Sequence, residues 1–121
     1  MPTPQLGEID SGMSPLRTKY KNQPVVVDGI RFASKREAHR YGELKLLQRA
    51  GEISGLQRQP RFVLSVQGQE ICSYIGDFQY SERKGHPYVI EDVKGSETPE
   101  FKIKWKLAQA LHPGIDWRLV R

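Results

Sequence analysis

The amino-acid sequence predicts an α/β domain in which helices flank a mixed central sheet, preceded by an N-terminal β-ribbon. Segments with helical periodicity alternate with short β-prone runs, in the order ribbon, helix, three strands, helix, strand. A chain of 121 residues has room for one hydrophobic core. Residues 1–18 are rich in Pro, Gly and Ser, so we predict a flexible tail there and a single domain over residues 19–121.

The ribbon and the first helix have clear local signals. Residues 25–32 are two β-prone runs around Asp28-Gly29, a dipeptide typical of two-residue hairpin turns. Ser34 and Glu37 have the spacing of a capping box, apolar residues follow at helical spacing, and Gly51 ends the pattern. These signals predict a β-hairpin followed by a helix of four to five turns.

The remaining elements are predicted from alternation and from turn residues. Residues 62–66, 71–80 and 88–94 indicate three strands, with residues 55–60 as a connection before them. Thr98-Pro99 indicates the start of a second helix that runs through residue 111, and residues 117–120 indicate a last strand. The buried side of the second helix is predicted to consist of Phe101, Ile103, Trp105, Leu107, Ala108 and Leu111.

Composition restricts the class of protein. A net charge of +5 and a pI near 9.5 are typical of a domain that binds a polyanion. No apolar stretch approaches the ~18 residues of a membrane span. The single cysteine, Cys72, excludes an internal disulfide, and with no export signal it favours a cytoplasmic protein in which Cys72 is a small core residue.

The most informative segment is the predicted hairpin over residues 74–94. If its tight turn is centred on Lys84-Gly85, the residue numbers of paired positions add up to 169, and Asp77 lies opposite Asp92. Alternate residues of a strand share a face, so Lys94 and Ile75 are predicted to lie on the same side as the two acids.

Two opposed carboxylates are unfavourable unless a cation lies between them. Mg²⁺ commonly uses one or two carboxylates together with phosphate oxygens and water, and a nearby lysine can stabilise charge on a phosphodiester. The alternative is structural: Asp77 as a turn or strand-end residue, and Asp92 with Lys94 as a surface ion pair. Glu91 lies on the other face, where a salt-bridged surface or rim residue is expected and an accessory metal ligand is the lesser alternative.

The sequence also resembles a known group of enzymes. Gly76-Asp77 followed by Glu91-Asp92-Val93-Lys94-Gly95 resembles the PD-(D/E)xK nuclease superfamily, with Gly76 where that pattern often has Pro. The Ser34-to-Ala38 segment that begins a helix and Gln59-Pro60 before a strand are similar to a small, uncharacterised phage and prophage family grouped with those nucleases.

This resemblance implies a restriction-endonuclease-like αβββαβ core. It implies that Glu37 is the helix acid, that Asp77 and Asp92 are the other two metal-binding acids, and that Lys94 is the catalytic lysine. Glu37 could equally act only in the capping box. Gln59 could line the site or order its loop.

Basic residues around this site could contact DNA phosphates, although each is also explained as a solvated charge. They are Lys35, Arg36, Arg40, Arg58, Arg61, Lys102, Lys104 and Lys106.

We therefore expect a metal-dependent endodeoxyribonuclease that uses Mg²⁺, with Mn²⁺ as a substitute. Its expected substrate is branched, junction or nicked DNA in phage recombination, replication or packaging, in the cytoplasm of a bacterial host. Cleavage of a four-way junction would favour a homodimer, with residues 25–32 as a dimer or DNA arm. The alternatives are a non-catalytic module that binds DNA or a protein partner, and a nuclease for RNA.

Overall fold

A computed structural model of the chain describes residues 23–84 and 86–121. The described residues divide into two compact units at residue 38: those up to Ala38 form the N-terminal unit, and residues 39–121 belong to the C-terminal unit. The predicted tail over residues 1–18 lies outside the described part, and the single domain over residues 19–121 stays a prediction. Within residues 23–84 and 86–121, no helix is both long and apolar enough to span a membrane.

In the N-terminal unit, strands β1 (Val25–Val27) and β2 (Ile30–Phe32) pair antiparallel. Asp28 and Gly29 join them with positive φ angles of 53° and 74°, as the Asp-Gly turn predicts. The side chain of Ser34 then accepts a hydrogen bond from the Glu37 amide at 3.2 Å. Helix α1 (Lys35–Arg49) starts there, so the predicted ribbon and N-cap are confirmed.

The C-terminal unit contains most of the sheet structure. Its elements after α1 are β3 (Ser54–Arg58), β4 (Arg61–Val66), β5 (Gln69–Ile75), β6 (Phe78–Ser81), β7 (Val89–Val93), α2 (Pro99–Leu111) and β8 (Asp116–Val120). One four-stranded sheet has the order β3–β6–β7–β8, in which only the β7–β8 pair is parallel, and a second sheet consists of β4 and β5. The mixed sheet that the sequence predicts is confirmed.

Two predicted boundaries are wrong. Residues 55–60, predicted as a connection, include most of strand β3, and the single strand predicted over residues 71–80 is divided into β5 and β6. Both errors come from one bend of the β-ribbon, where residues 59–60 face residues 76–77. Gln59 adopts a positive φ of 57°, which few non-glycine residues adopt, and buried and exposed residues alternate on both sides of Gly76. Alternation alone therefore does not show where the strand changes direction.

The bend leaves the strand register unchanged. Arg58 pairs with Phe78 before it and Arg61 pairs with Ile75 after it, so the residue numbers add up to 136 on both sides. Inside the bend, the Gln59 amide donates to the Asp77 carbonyl at 3.0 Å, and the Gly76 amide donates to the Pro60 carbonyl at 2.9 Å. Residues 54–81 are thus one antiparallel ribbon, which bends where Gln59 and Pro60 face Gly76 and Asp77.

The two faces of the four-stranded sheet are covered differently. On one face, Tyr41 of α1 stacks on Phe78 at 6.1 Å between ring centroids. On the other face, Ile90 joins a core with Leu64 and Tyr74 of the β4–β5 ribbon and with residues of α2. Two helices therefore flank the sheet, as predicted.

The buried side of α2 is narrower than predicted. Phe101 and Ala108 are buried, and Trp105 packs against this core, whereas Ile103 is 68% exposed. Ile103 lies two residues after Phe101, which is about 200° around a helix. Assigning it to the buried side was wrong for that reason.

Candidate functional site

The site is built where the bent ribbon meets strand β7. The β6–β7 pairs Phe78–Glu91 and Tyr80–Val89 have residue numbers that add up to 169, which confirms the predicted register. The His86 amide donates to the Arg83 carbonyl at 3.1 Å and closes the turn between these strands. The register brings the end of β7 beside the bend.

Asp77 lies at the bend, one residue before β6. Its amide donates to the Glu91 carbonyl at 3.0 Å, and its Oδ2 accepts a hydrogen bond from the Val93 amide at 2.7 Å. The carboxylate is therefore held against the end of β7. It is also close enough to Asp92 to act on the pKa of that residue.

Asp92 is 2% exposed. Its Oδ2 accepts a hydrogen bond from the Tyr74 hydroxyl at 2.5 Å. Its Oδ1 is buried and lies 3.3 Å from Lys94 Nζ, but it receives no aligned hydrogen bond. Burial raises the pKa of Asp92 because it disfavours the charged form, and the hydrogen bond from Tyr74 and the ammonium of Lys94 act in the opposite direction.

Lys94 follows the last residue of β7, and its side chain is 31% exposed. Its ammonium lies 4.5 Å from the centre of the Phe101 ring, within the range of a cation–π interaction. The Lys94 amide donates to the Val120 carbonyl at 2.8 Å, so the parallel strand β8 fixes the backbone here. The structure thus brings Asp77, Asp92 and Lys94 together, as the sequence predicts.

An open pocket of about 400 Å³ lies over Asp92 and Lys94. Its walls come from β5, the end of β7 and the first turns of α2. Ile75, predicted on the side of the acids, lines this pocket. The lining residues are Ser73, Tyr74, Ile75, Asp92, Lys94, Thr98, Glu100, Phe101 and Lys104. The pocket gives a ligand access to a site whose acid is otherwise buried.

Tyr74 is the residue of this site that sequence analysis missed. Its ring is 3% exposed and packs against Trp105 and Trp117, with ring centroids 6.0 Å and 6.1 Å away. Burial raises the pKa of Tyr74 far above its usual value, and the neighbouring Asp92 adds to this effect, so the hydroxyl keeps its proton. The predicted pairing of residues 74–94 as one hairpin concealed this contact, because it assigned Tyr74 to the sheet of Asp92.

Glu91 points to the opposite face, as predicted, but it is fully buried rather than at the surface or rim. Arg40 binds its carboxylate through two hydrogen bonds, Nε to Oε1 at 2.8 Å and Nη2 to Oε2 at 2.6 Å. The Tyr80 hydroxyl donates a third hydrogen bond to Oε2. The salt bridge is therefore confirmed, and both oxygens of Glu91 are occupied.

Two further residues of the predicted site are placed as follows. Gln59 lies at the bend beside Asp77 through its backbone, with an exposed side chain. Glu37 belongs to the N-terminal unit, where it is 8% exposed and its amide is bound by Ser34. The role of Glu37 as a third acid stays a prediction.

The basic residues differ in their exposure, and some are held by acidic side chains. Arg40 is held by Glu91 and by Glu43, with Nη1 3.1 Å from Glu43 Oε1, which leaves little of its guanidinium for a phosphate. Lys104 lines the pocket and pairs with Glu100 at 3.0 Å. Arg61 and Lys102 are exposed, as are Lys35 and Arg36 of the N-terminal unit, whereas Arg58 is half-buried.

The site offers few side-chain ligands for a metal ion. Within residues 23–84 and 86–121, no group of three or more His, Cys, Asp or Glu side chains is arranged to hold a metal. Asp77 and Asp92 offer two carboxylates, and this number is sufficient for Mg²⁺ when phosphate and water supply the other oxygens. The pair fits an ion that shares its ligands with a substrate.

These features define an α/β protein whose mixed sheet carries two neighbouring acids and a lysine, of which Asp92 and Lys94 line an open pocket. The chain belongs to the family described as "Protein of unknown function (DUF1064)", whose model matches residues 17–120. No curated protein and no solved structure matches the chain.

Proposed function

We propose that this protein is a Mg²⁺-dependent endonuclease that hydrolyses DNA phosphodiester bonds at the site formed by Asp77, Asp92 and Lys94. One observation carries the proposal. Asp92 Oδ1 is a buried carboxylate oxygen without an aligned hydrogen bond, and it faces Lys94 at the floor of an open pocket. A buried acceptor that lacks a hydrogen bond is costly, and a cation-binding role explains why it is kept.

In this proposal Asp77 and Asp92 hold the ion. When bound, Mg²⁺ would neutralise charge on the phosphate and lower the pKa of a coordinated water. Asp77 is fixed in place by the Val93 amide, and Asp92 is fixed by Tyr74, so both carboxylates are oriented before any ligand arrives. This preorganisation is what electrostatic catalysis requires.

Lys94 is proposed to stabilise negative charge on the reacting phosphate. Its side chain is partly exposed at the pocket, its ammonium lies 3.3 Å from Asp92 Oδ1, and its backbone amide is bound to β8. Removal of one such stabilising group typically lowers kcat by about 10²- to 10³-fold. The membership of this chain in the PD-(D/E)xK superfamily is part of the same proposal, supported by the Asp92-to-Lys94 spacing and by the mixed sheet that carries it.

The proposed substrate is DNA that is recognised by its backbone and its shape. The net charge of +5 favours a polyanion, and a small domain has little surface for reading a long base sequence. Lys104 at the pocket and the exposed Arg61 and Lys102 are the proposed phosphate contacts of the C-terminal unit. Junction, flapped and nicked DNA are the substrates to compare.

The experiment is a cleavage panel on supercoiled plasmid and on linear, nicked, flapped and four-way-junction DNA, with Mg²⁺, with Mn²⁺ and with EDTA. We expect metal-dependent cleavage that Asp77→Asn, Asp92→Asn and Lys94→Ala abolish while DNA binding is retained. Asp116→Asn and Lys84→Ala are matched controls, because they change the same residue types at exposed positions outside the site. Equal cleavage by all five variants would contradict the assignment of the site.

The second candidate function is DNA or partner binding without cleavage. The observation that favours it is the lack of a three-ligand group among residues 23–84 and 86–121. It predicts DNA binding by gel shift that is the same with and without EDTA, and no cleavage of any substrate in the panel.

A further inference from the structure

Two buried tyrosine–carboxylate pairs lie on opposite faces of strand β7. Tyr80 donates to Glu91 on the face of α1, and Tyr74 donates to Asp92 on the face of α2. The two acids are neighbours in the sequence, and both are nearly inaccessible, at 0% and 2% exposure. They differ in whether the carboxylate oxygen that the tyrosine does not bind has a hydrogen bond of its own.

The Glu91 pair is complete. Its carboxylate accepts two hydrogen bonds from Arg40 and one from Tyr80, so each oxygen has a donor. Such an arrangement leaves no ligand function to Glu91. The contact between Tyr80 and Glu91 therefore has a structural role.

In the pair of Tyr74 with Asp92, one carboxylate oxygen lacks an aligned hydrogen bond. Tyr74 occupies Oδ2, while Oδ1 has Lys94 Nζ at 3.3 Å and no aligned hydrogen bond. Because a carboxylate can rotate about its last bond, an unheld Asp92 could exchange its two oxygens. The hydrogen bond from Tyr74 to Oδ2 opposes this exchange, as does the ion pair of Oδ1 with Lys94, so Oδ1 stays toward Lys94.

The position of the Tyr74 hydroxyl is itself fixed. The ring packs against Phe62, Trp105 and Trp117. The bend of the ribbon brings β5 over β7, and Gly76 allows the close approach. A Cβ at Gly76 would lie 3.1 Å from Ile90 Cγ2 and 3.4 Å from the Tyr74 hydroxyl.

We propose that Tyr74 is a positioning residue that holds Oδ2 of Asp92, so that Oδ1 is the oxygen offered to a divalent cation. This inference rests on the proposed function. Residues that orient a metal ligand through a hydrogen bond typically contribute 10- to 100-fold to metal affinity.

The test measures Mn²⁺ binding to the full chain by isothermal titration calorimetry, without DNA. Tyr74→Phe removes only the hydroxyl, and it is expected to raise the Kd for Mn²⁺ by about 10- to 100-fold. Tyr80→Phe is the matched control, because it removes the same kind of hydrogen bond from the neighbouring acid. It is expected to leave the Kd within about 2-fold, although it also destabilises the fold.

The outcomes separate the two proposals. If the unaltered protein binds Mn²⁺ and Tyr74→Phe binds it equally well, or if Tyr80→Phe weakens binding as much, the positioning role is overturned and the metal site stands. If the unaltered protein binds no Mn²⁺ without DNA but still cleaves DNA in a metal-dependent way, this inference falls and the proposed function stands. If it neither binds Mn²⁺ nor cleaves DNA, both fall.

A second measurement does not depend on the folding of a variant. In a crystal of the unaltered protein soaked in Mn²⁺, anomalous density should lie next to Asp92 Oδ1, with the Tyr74 hydroxyl still on Oδ2. An ion bound to Oδ2, or a broken contact between Tyr74 and Asp92, would contradict the proposed positioning.

Discussion

The contact between Arg40 and Glu91 offers a sharp test of how the sheet is stabilised. Arg40→Met removes the guanidinium and keeps an unbranched side chain with good helix propensity. The fully buried carboxylate of Glu91 then loses two charge-assisted hydrogen bonds and retains the one from Tyr80. We expect the free energy of unfolding to fall.

The size of the loss follows from the burial of the two partners. Removing one member of a buried ion pair typically costs 3–5 kcal/mol. The Arg40 side chain is 23% exposed, so water can partly replace it, and we expect a value of about 3 kcal/mol at the lower end of that range. Adding Glu91→Gln should recover part of the loss, because it removes the uncompensated charge.

Arg118→Met is the matched control. Its guanidinium also binds a carboxylate through two hydrogen bonds, to Glu82 at 2.8 Å and 2.9 Å, but here the arginine and the glutamate are 37% and 48% exposed. An exposed pair contributes about 0–1 kcal/mol. Urea unfolding, followed by tryptophan fluorescence and circular dichroism, measures both variants. Equal losses, or a loss below about 1 kcal/mol for Arg40→Met, would refute the reasoning from burial.

Three further predictions concern the bend, the second helix and the buried acid. Gly76→Ala should destabilise the protein by about 1–3 kcal/mol because its Cβ would press on Ile90, whereas Gly42→Ala, in open space within α1, should stabilise it by about 0.5–1 kcal/mol; urea unfolding that ranks them the other way would contradict the structure. Thr98→Ala should cost about 1 kcal/mol in thermal unfolding, because the side chain accepts from the Phe101 amide at 3.1 Å, while Thr98→Ser should retain most of the stability. The pKa of Asp92 is raised in the folded state, so its contribution favours folding below the ordinary Asp pKa and is lost as pH rises through the raised value. Asp92→Asn should therefore stabilise the fold at pH 7 and lose this advantage in acid. Urea unfolding of both proteins at pH 7 and at acid pH measures this effect, and an equal effect of the substitution at the two pH values would contradict the raised pKa.

Local chemistry was sufficient to predict much of the fold. Asp28-Gly29 determines its turn through backbone geometry, and Ser34 and Thr98 start helices through hydrogen bonds to residues three positions away. The register of β6 and β7 follows from the position of one turn. Each of these features depends on residues that are close in the chain, so each leaves a pattern in the sequence.

The bend and its contacts could not be predicted in this way. The hydrogen bond from Tyr74 to Asp92 joins residues 18 positions apart, and the pair of Arg40 with Glu91 joins residues 51 positions apart. Both contacts depend on which strands and helices pack together. Alternation in residues 71–80 is the same for a straight strand and for two strands that meet at a bend, and for this reason the division at Gly76 was missed.

The bend requires a glycine at position 76. The Gly76 amide donates to the Pro60 carbonyl, and the residue lies close to Ile90. Proline has no amide hydrogen to donate and would add a ring where a single Cβ already lies 3.1 Å from Ile90 Cγ2. The proline of this bend is instead Pro60, on the facing strand. The bend therefore needs a residue without a side chain at position 76, and the next residue, Asp77, accepts a hydrogen bond from the Val93 amide at 2.7 Å.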